Sequence, residues 1–136
     1  MNHDPFKFEH FNINFIALYI DGVMIPSIPY TPNFNEGICM QEFVSLYRFM
    51  GQEEGHPQIK ITYDQFVNNK TLFAFDLSPD GSIGAENGTL SLIRRGIIRL
   101  LVKFSKSSIK PLKAIVFGQF DNYLTIDEDR TLALAY

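Results

Sequence analysis

The feature that most restricts the fold is an apolar run that ends on a tight-turn pair. Residues Ile13–Ile20 contain a single polar residue, Asn14, and Asp21-Gly22 follows at once before Val23 begins another apolar run. An Asp-Gly pair tolerates the positive φ angles of a two-residue primed turn, which matches the twist of paired antiparallel strands. Residues 12–25 are therefore predicted to form a β-hairpin.

Prolines recur at every third position after this hairpin, at Pro26, Pro29 and Pro32. Proline fixes φ and removes a backbone N–H donor, so the stretch is predicted to be extended and poor at continuing a ladder of hydrogen bonds. We expect a connector that lies on the surface or along a sheet edge, and the three prolines are candidate interface residues.

Two short helices are predicted next. Residues 38–50 place apolar side chains three and four positions apart, and Gly51 is positioned to end that helix. Thr62 and Gln65 have the spacing of a capping box, which predicts a second helix that ends by Asn69. The first helix is expected to cover a sheet or its edge, through the apolar positions Cys39, Phe43, Leu46, Tyr47 and Met50.

The second half of the chain is predicted to contain mainly strands. Residues 71–77 and 97–104 alternate in the manner of half-buried strands, and residues 114–120 are predicted to pair antiparallel with 97–104. Residues 123–134 are predicted to form a terminal hairpin around a charged turn. The side chains predicted to face the core are Thr71, Phe73, Phe75 and Leu77 in the first strand, and Ile98, Leu100, Val102 and Phe104 in the second.

The fold class follows from this order of elements. No internal repeat or change of composition divides the 136 residues, so one domain over 1–136 is predicted. Apolar residues make up 46% of the chain, which is enough for a core. Because strands outnumber helices, we expect a mainly β protein, an antiparallel jelly-roll-like sandwich with one or two short helices in its connections.

Few side chains suggest catalysis. His3, His10 and His56 lie far apart and lack carboxylates or thiols at metal-ligand spacing. Cys39 falls on the apolar side of the predicted helix, where a lone cysteine behaves as a small hydrophobe. No glycine-rich phosphate loop occurs. The sequence therefore predicts a protein that is not an enzyme, with no catalytic residue, metal site or cofactor.

Residues 76–87 partly match a calcium-binding loop. Asp76, Ser78 and Asp80 occupy the first, third and fifth positions, where such loops place oxygen ligands. The twelfth position, however, is Asn87 instead of a bidentate glutamate, and a strand rather than a helix is predicted before the loop. The pattern favours a strand-ending turn, with calcium binding as the alternative.

Charge is unevenly distributed, because seven basic residues and no acidic residue lie between Glu86 and Asp121 in a chain of net charge −3. Such a segment can be a solvated face, a protein interface or a phosphate-binding surface, and the acidic whole argues against nucleic acid. No apolar run is long enough to span a bilayer, and the first residues lack the features of a signal peptide, so synthesis inside the cell and no membrane partner are expected. The basic residues taken as candidate interface residues are Arg94, Arg95, Arg99 and Lys103.

Several segments, in this order along the chain, resemble a family of viral proteins. They are residues 4–11 (DPFKFEHF), 18–22 (LYIDG), the three prolines, 73–80 (FAFDLSPD), 92–96 (LIRRG) and 117–122 (FGQFDN). Together they resemble the major capsid proteins of Polinton (Maverick) elements and adintoviruses, which are related in fold to adenovirus hexon, and their copies in animal genomes.

This resemblance implies a double jelly-roll shell subunit that trimerises into pseudo-hexameric capsomers, and this chain is similar to its C-terminal region. The implied partners are other copies of the subunit and other capsid proteins. The implied location is the virion, with synthesis in the cytoplasm and assembly in the host nucleus. Subunits of that family are several times longer, so a fragment, a split gene product or a domesticated copy is expected. The alternative function is a monomeric β-sandwich binding module, calcium-dependent and domesticated from a viral element.

Overall fold

The computed structural model describes residues 4, 6–49, 60–78, 96–118, 124–126, 129–130 and 132–134. In chain order the elements are β1 (Ile13–Ile20), β2 (Val23–Tyr30), α1 (Met40–Phe49), α2 (Tyr63–Asn68), β3 (Ile98–Phe104), β4 (Leu124–Ile126) and β5 (Leu132–Leu134). The described part is mainly β, with a three-stranded antiparallel sheet ordered β2-β1-β3, a two-stranded sheet of β4 and β5, and two short helices. The predicted class is thus confirmed, while a jelly roll needs two packed sheets of four strands and stays a prediction.

β1 and β2 form the predicted hairpin. Tyr19 pairs with Met24 and Ile20 pairs with Val23, so only the two turn residues separate the strands. Asp21 and Gly22 have φ angles of 49° and 85°, the left-handed values that an Asp-Gly turn supplies. The terminal hairpin is likewise confirmed, because β4 and β5 pair antiparallel.

β2 lies at a sheet edge among the described strands and contains two of the repeated prolines, Pro26 and Pro29. Its ladder with β1 is interrupted across these two residues and resumes at Tyr30. Proline lacks the N–H that a ladder requires, which confines it to edges and bulges. The predicted edge position and broken ladder are confirmed, although the prolines lie within a strand, and Pro32 beyond it is buried.

β3 pairs antiparallel with β1 along its whole length. The predicted pairing of residues 97–104 with 114–120 is therefore wrong for the described residues, since residues 111–118 form no strand. The cause lies in the hairpin turn, which holds the start of β3 beside β1. The Asp21 carboxylate accepts a hydrogen bond from the Ile97 N–H at 2.9 Å, and the Asp21 N–H donates to the Ile97 carbonyl at 3.2 Å.

Residues 71–77, predicted as a strand, join no strand among the described residues. Thr71 donates its N–H to the Phe8 carbonyl at 3.0 Å, beside an isolated bridge. The Tyr30 hydroxyl donates to the Ala74 carbonyl at 3.2 Å, so a side chain occupies a backbone acceptor that a ladder would use. The buried positions are Thr71 and Ala74, three apart, and Leu77 is exposed, which makes the predicted alternation wrong.

One hydrophobic cluster of the described residues lies around the two helices, and β1 and Tyr30 bury further side chains in the sheet. Phe66 of α2 is completely buried and Cys39, just before α1, is 1% exposed. The predicted helical face is confirmed, since Leu46 is buried and Phe43 packs against the same cluster, whereas Met50 and Gly51 lie outside the described residues. Full burial of one such side chain contributes about 1.5–3 kcal/mol.

The capping box at the start of α2 is confirmed. The Thr62 hydroxyl accepts from the Gln65 N–H at 3.2 Å, and the Gln65 amide oxygen accepts from the Thr62 N–H at 3.1 Å.

Replacing Thr62 by alanine is expected to lower the free energy of unfolding by about 1 kcal/mol, because one helix-terminal N–H loses its acceptor. Thermal unfolding measures this change, and Thr62→Ser is the control that keeps the hydroxyl. Equal stability of the alanine and serine variants would contradict the prediction.

Candidate interaction surface

Exposed apolar side chains accumulate on β3 and on the residues that follow it. Residues 105–118, which we call the arm, contain no helix or strand, and each of them is exposed. We call residues 97–118, which are the residue before β3, β3 itself and the arm, the β3 surface. Its most exposed apolar side chains are Ile97, Ile109, Ile115, Val116 and Phe117. Exposed apolar side chains concentrated in one part of a chain mark a contact surface.

Three successive apolar side chains of the arm are uncovered. Ile115, Val116 and Phe117 are successive residues, and their exposed fractions are 76%, 76% and 88%. The described residues therefore bury none of these three side chains.

One face of β3 is apolar and open. Ile98, Leu100 and Phe104 share it, and their exposed fractions are 51%, 37% and 40%, so the prediction that they face the core is wrong. Of that predicted set, Val102 is half-buried. Among the described strands β3 lies at the edge of its sheet, and its main packing partner among the described elements is β1. No other described element packs closely over this face, so alternation alone does not produce burial here.

The opposite face of β3 carries cations, as predicted. The Arg99 guanidinium lies 4.9 Å from the ring centre of Tyr19, and the Lys103 ammonium lies 4.8 Å from that of Phe15. Each cation covers the aromatic ring of its pairing partner on β1, a contact that contributes about 0.5–1 kcal/mol at an exposed site. The structure thus separates an apolar and a cationic face of one strand.

The predicted interface residues do not all meet. Arg99 and Lys103 lie on β3, whereas Pro26 and Pro29 lie on β2, at the other edge of the sheet. Arg94 and Arg95 lie outside the described residues. Within residues 96–118 the cations are Arg99, Lys103, Lys106, Lys110 and Lys113, and no acidic residue occurs.

His10 has a structural role. Its ring stacks on Phe34 with centres 4.2 Å apart, and its Nδ1 accepts a hydrogen bond from the Asn12 N–H at 2.9 Å. That bond closes a turn in which Phe11 and Asn12 have φ angles of 46° and 54°. The described residues contain no group of three or more potential metal ligands, and His3 and His56 lie outside them.

This geometry makes stability depend on pH. Burial lowers the pKa of His10 from the ordinary 6.5, and the neighbouring Glu9 carboxylate opposes that effect. As pH falls, His10 therefore binds a proton more readily in the unfolded chain than in the folded chain. The stability contributed by neutral His10 is fully present above pH 6.5 and is lost as pH falls through the lowered folded pKa.

We expect the free energy of unfolding of the wild type to fall more steeply between about pH 7 and about pH 5 than that of His10→Phe, which keeps a stacked ring but does not titrate. Urea unfolding at a series of pH values measures both slopes. Parallel slopes would show that His10 does not contribute.

Cys39 is buried as predicted, and burial raises the pKa of its thiol. Its sulfur lies 3.4 Å from the Tyr63 hydroxyl.

Glu42 of α1 is buried as well, and the sequence interpretation missed it. Burial raises the pKa of its carboxyl, while backbone hydrogen bonds, including one from Thr31, oppose that rise. The spacing of Glu42 could have indicated its burial, because it stands three residues after Cys39 and four before Leu46, both of which were predicted to be apolar positions of the helix.

The segment that partly matches a calcium-binding loop begins with a turn, as predicted. The Asp76 carboxylate accepts hydrogen bonds from the N–H and the hydroxyl of Ser78, at 2.8 Å and 2.6 Å. Asp80 and Asn87 lie outside the described residues, so calcium binding stays the alternative to the favoured turn. Among the helices of the described part, none combines the length and apolar character that crossing a membrane requires.

The chain matches no protein-family model and no solved structure. It is similar to the uncharacterized protein F54H12.2 of Caenorhabditis elegans, with 22% identity over 126 residues. The aligned region covers 90% of this chain and 29% of that relative, so the chain spans less than a third of the relative's length.

Proposed function

We propose that the chain is a structural, non-enzymatic β-module that associates with copies of itself in a viral capsid-like shell. The observation that carries this proposal is the β3 surface, where the arm and β3, which lies at the sheet edge among the described strands, expose apolar side chains. An exposed edge next to apolar residues favours pairing with another chain.

The proposal takes its assembly from the resemblance to Polinton and adintovirus capsid proteins. In that assembly the chain contributes to a jelly roll within a trimeric capsomer, and its partners are other copies and other capsid proteins. The observed mainly β class with two short helices and the greater length of the nematode relative agree with a module of a longer shell subunit. Its place is the virion, with assembly in the host nucleus after synthesis in the cytoplasm.

Light scattering after size exclusion, over a series of concentrations, tests self-association. We expect trimers or larger symmetric species, with masses in multiples of 15.6 kDa. Phe117→Asp should weaken association, because it places a charge within the exposed apolar segment. The matched control is Phe6→Asp, since Phe6 is another exposed aromatic residue and lies outside the β3 surface. A monomer at every concentration would contradict the proposal and favour an independent binding module.

A further inference from the structure

A cavity of about 380 Å³ opens where β1 and β2 separate. The ladder between these strands ends at the pair of Ile16 with Tyr30, and Pro32, two residues beyond, has no N–H with which to continue it. Residues 12–14 of one segment and 31–35 of the other line the cavity together. Its volume lies within the range of about 300–1,000 Å³ that is typical of small-molecule sites.

The polar part of the cavity lining is neutral. Four of its side chains are asparagine amides and two are hydroxyls, and none of the described lining residues is ionisable. Each amide and each hydroxyl can both donate and accept hydrogen bonds. Asn14, Asn35 and Thr31 are exposed, so a ligand can reach them. The six polar lining residues are Asn12, Asn14, Asn33, Asn35, Thr31 and Ser105.

A β-bulge lies at the cavity. Ile13 pairs with Phe104 and Phe15 pairs with Lys103, so two steps along β1 match one step along β3. Asn14 is therefore the extra residue of β1. Bulges re-aim a side chain and are over-represented beside functional sites. The irregular register thus coincides with the position where an asparagine lines the cavity.

Backbone hydrogen bonds hold the cavity open without a ligand. The Ser105 N–H donates to the Asn12 carbonyl at 2.9 Å, which ties the start of the arm to the residues before β1. Asn33 and Ile38 exchange backbone hydrogen bonds at 2.7 Å and 2.9 Å, and Phe34 between them is buried. A site that is already formed avoids part of the cost of ordering side chains and loops on binding.

The lining favours a neutral ligand that is rich in hydroxyl groups. A charged group that leaves water for a cavity without an opposite charge loses solvation that nothing replaces. The hydroxyls of a saccharide are neutral, and each one donates and accepts, as the lining amides and hydroxyls do. The C–H groups of a sugar ring suit the apolar lining residues, which are Ile13, Pro32 and Phe34.

We propose that this cavity binds a neutral saccharide, and that the side-chain amides of Asn14 and Asn35 exchange hydrogen bonds with its hydroxyls. The proposal does not depend on self-association, because the exposed apolar side chains of the β3 surface do not line the cavity.

Titration calorimetry with glucose, galactose, mannose and N-acetylglucosamine tests the site. We expect at least one of these sugars to bind with a Kd of about 0.5–5 mM, the affinity that about 12–15 non-hydrogen atoms provide at the efficiency of drug-sized ligands. Asn14→Ala and Asn35→Ala should each raise that Kd about fivefold, because each removes hydrogen bonds to the ligand. Asn69→Ala is the matched control, since Asn69 is an exposed asparagine outside the cavity.

Two further probes test the ligand class. Glucuronate adds a carboxylate to the same ring and should bind at least about fivefold more weakly than the preferred sugar. N-acetylglycinamide is a neutral peptide, and tighter binding of it or of glucuronate than of every sugar would overturn the proposal. The proposal also fails if no sugar binds at up to about 50 mM, or if the two cavity variants lose no more affinity than Asn69→Ala. Circular dichroism verifies that each variant is folded.

Discussion

Replacing Phe66 by alanine is expected to lower the free energy of unfolding by about 3–5 kcal/mol. The side chain of Phe66 is completely buried, and its ring centre lies 6.2 Å from that of Phe34 and 5.6 Å from that of Phe43. Alanine would leave a cavity between α1, α2 and the turn before α1. Because a domain is stabilised by only about 5–15 kcal/mol, the loss is a large fraction of the total.

Urea unfolding followed by far-ultraviolet circular dichroism measures this loss. The control is Phe6→Ala, because Phe6 is 69% exposed, and a change within about 0.5 kcal/mol is expected for a surface position. Similar losses in the two variants would show that the helical cluster does not stabilise the fold.

The features that the sequence predicted well depend on neighbouring residues. The Asp21-Gly22 turn fixes a hairpin because its two φ angles are set locally. The Thr62 capping box fixes the start of α2 in the same way. The prolines predicted an edge because each one removes a donor wherever it lies.

The features that the sequence predicted wrongly depend on distant partners. Alternation in residues 97–104 established a strand, but the choice of β1 as its partner depends on a contact from Asp21 to Ile97, 76 positions apart. The hydrogen bond that Tyr30 donates to Ala74 spans 44 positions and interrupts the strand predicted for 71–77. A pattern within one segment contains no information about such contacts.

The same limit applies to the candidate surface. Alternation correctly placed Arg99 and Lys103 on one face of β3, because side chains of successive residues point to opposite sides. It also marked Ile98, Leu100 and Phe104 as core, but whether an apolar face is buried depends on a second layer. Whether this face is exposed therefore depends on the whole folded chain, and the proposed function depends on that exposure.

Asp21→Ala is expected to lower the free energy of unfolding by about 2–3 kcal/mol. The carboxylate accepts the Ile97 N–H at the start of β3, and hydrogen bonds to charged groups contribute about 1.5–3 kcal/mol. The residue also has a φ of 49°, which alanine adopts with strain. Asp21→Asn should cost less than about 1 kcal/mol, because asparagine keeps an acceptor oxygen and tolerates this φ.

The close approach of Asp21 to Gly96 gives an independent test of the hydrogen bond between Asp21 and Ile97. A Cβ on Gly96 would lie 2.5 Å from the Asp21 carboxylate. Gly96→Ala should therefore displace that carboxylate, and the loss of its hydrogen bond to the Ile97 N–H should lower the free energy of unfolding. In an Asp21→Ala background the added methyl meets no carboxylate, and the two losses should be less than additive. Urea unfolding of the four proteins in this cycle measures the coupling. Additive losses would mean that Asp21 does not hold β3, whereas coupled losses together with faster amide exchange in β3 would show that the hairpin turn positions the strand at the proposed interface.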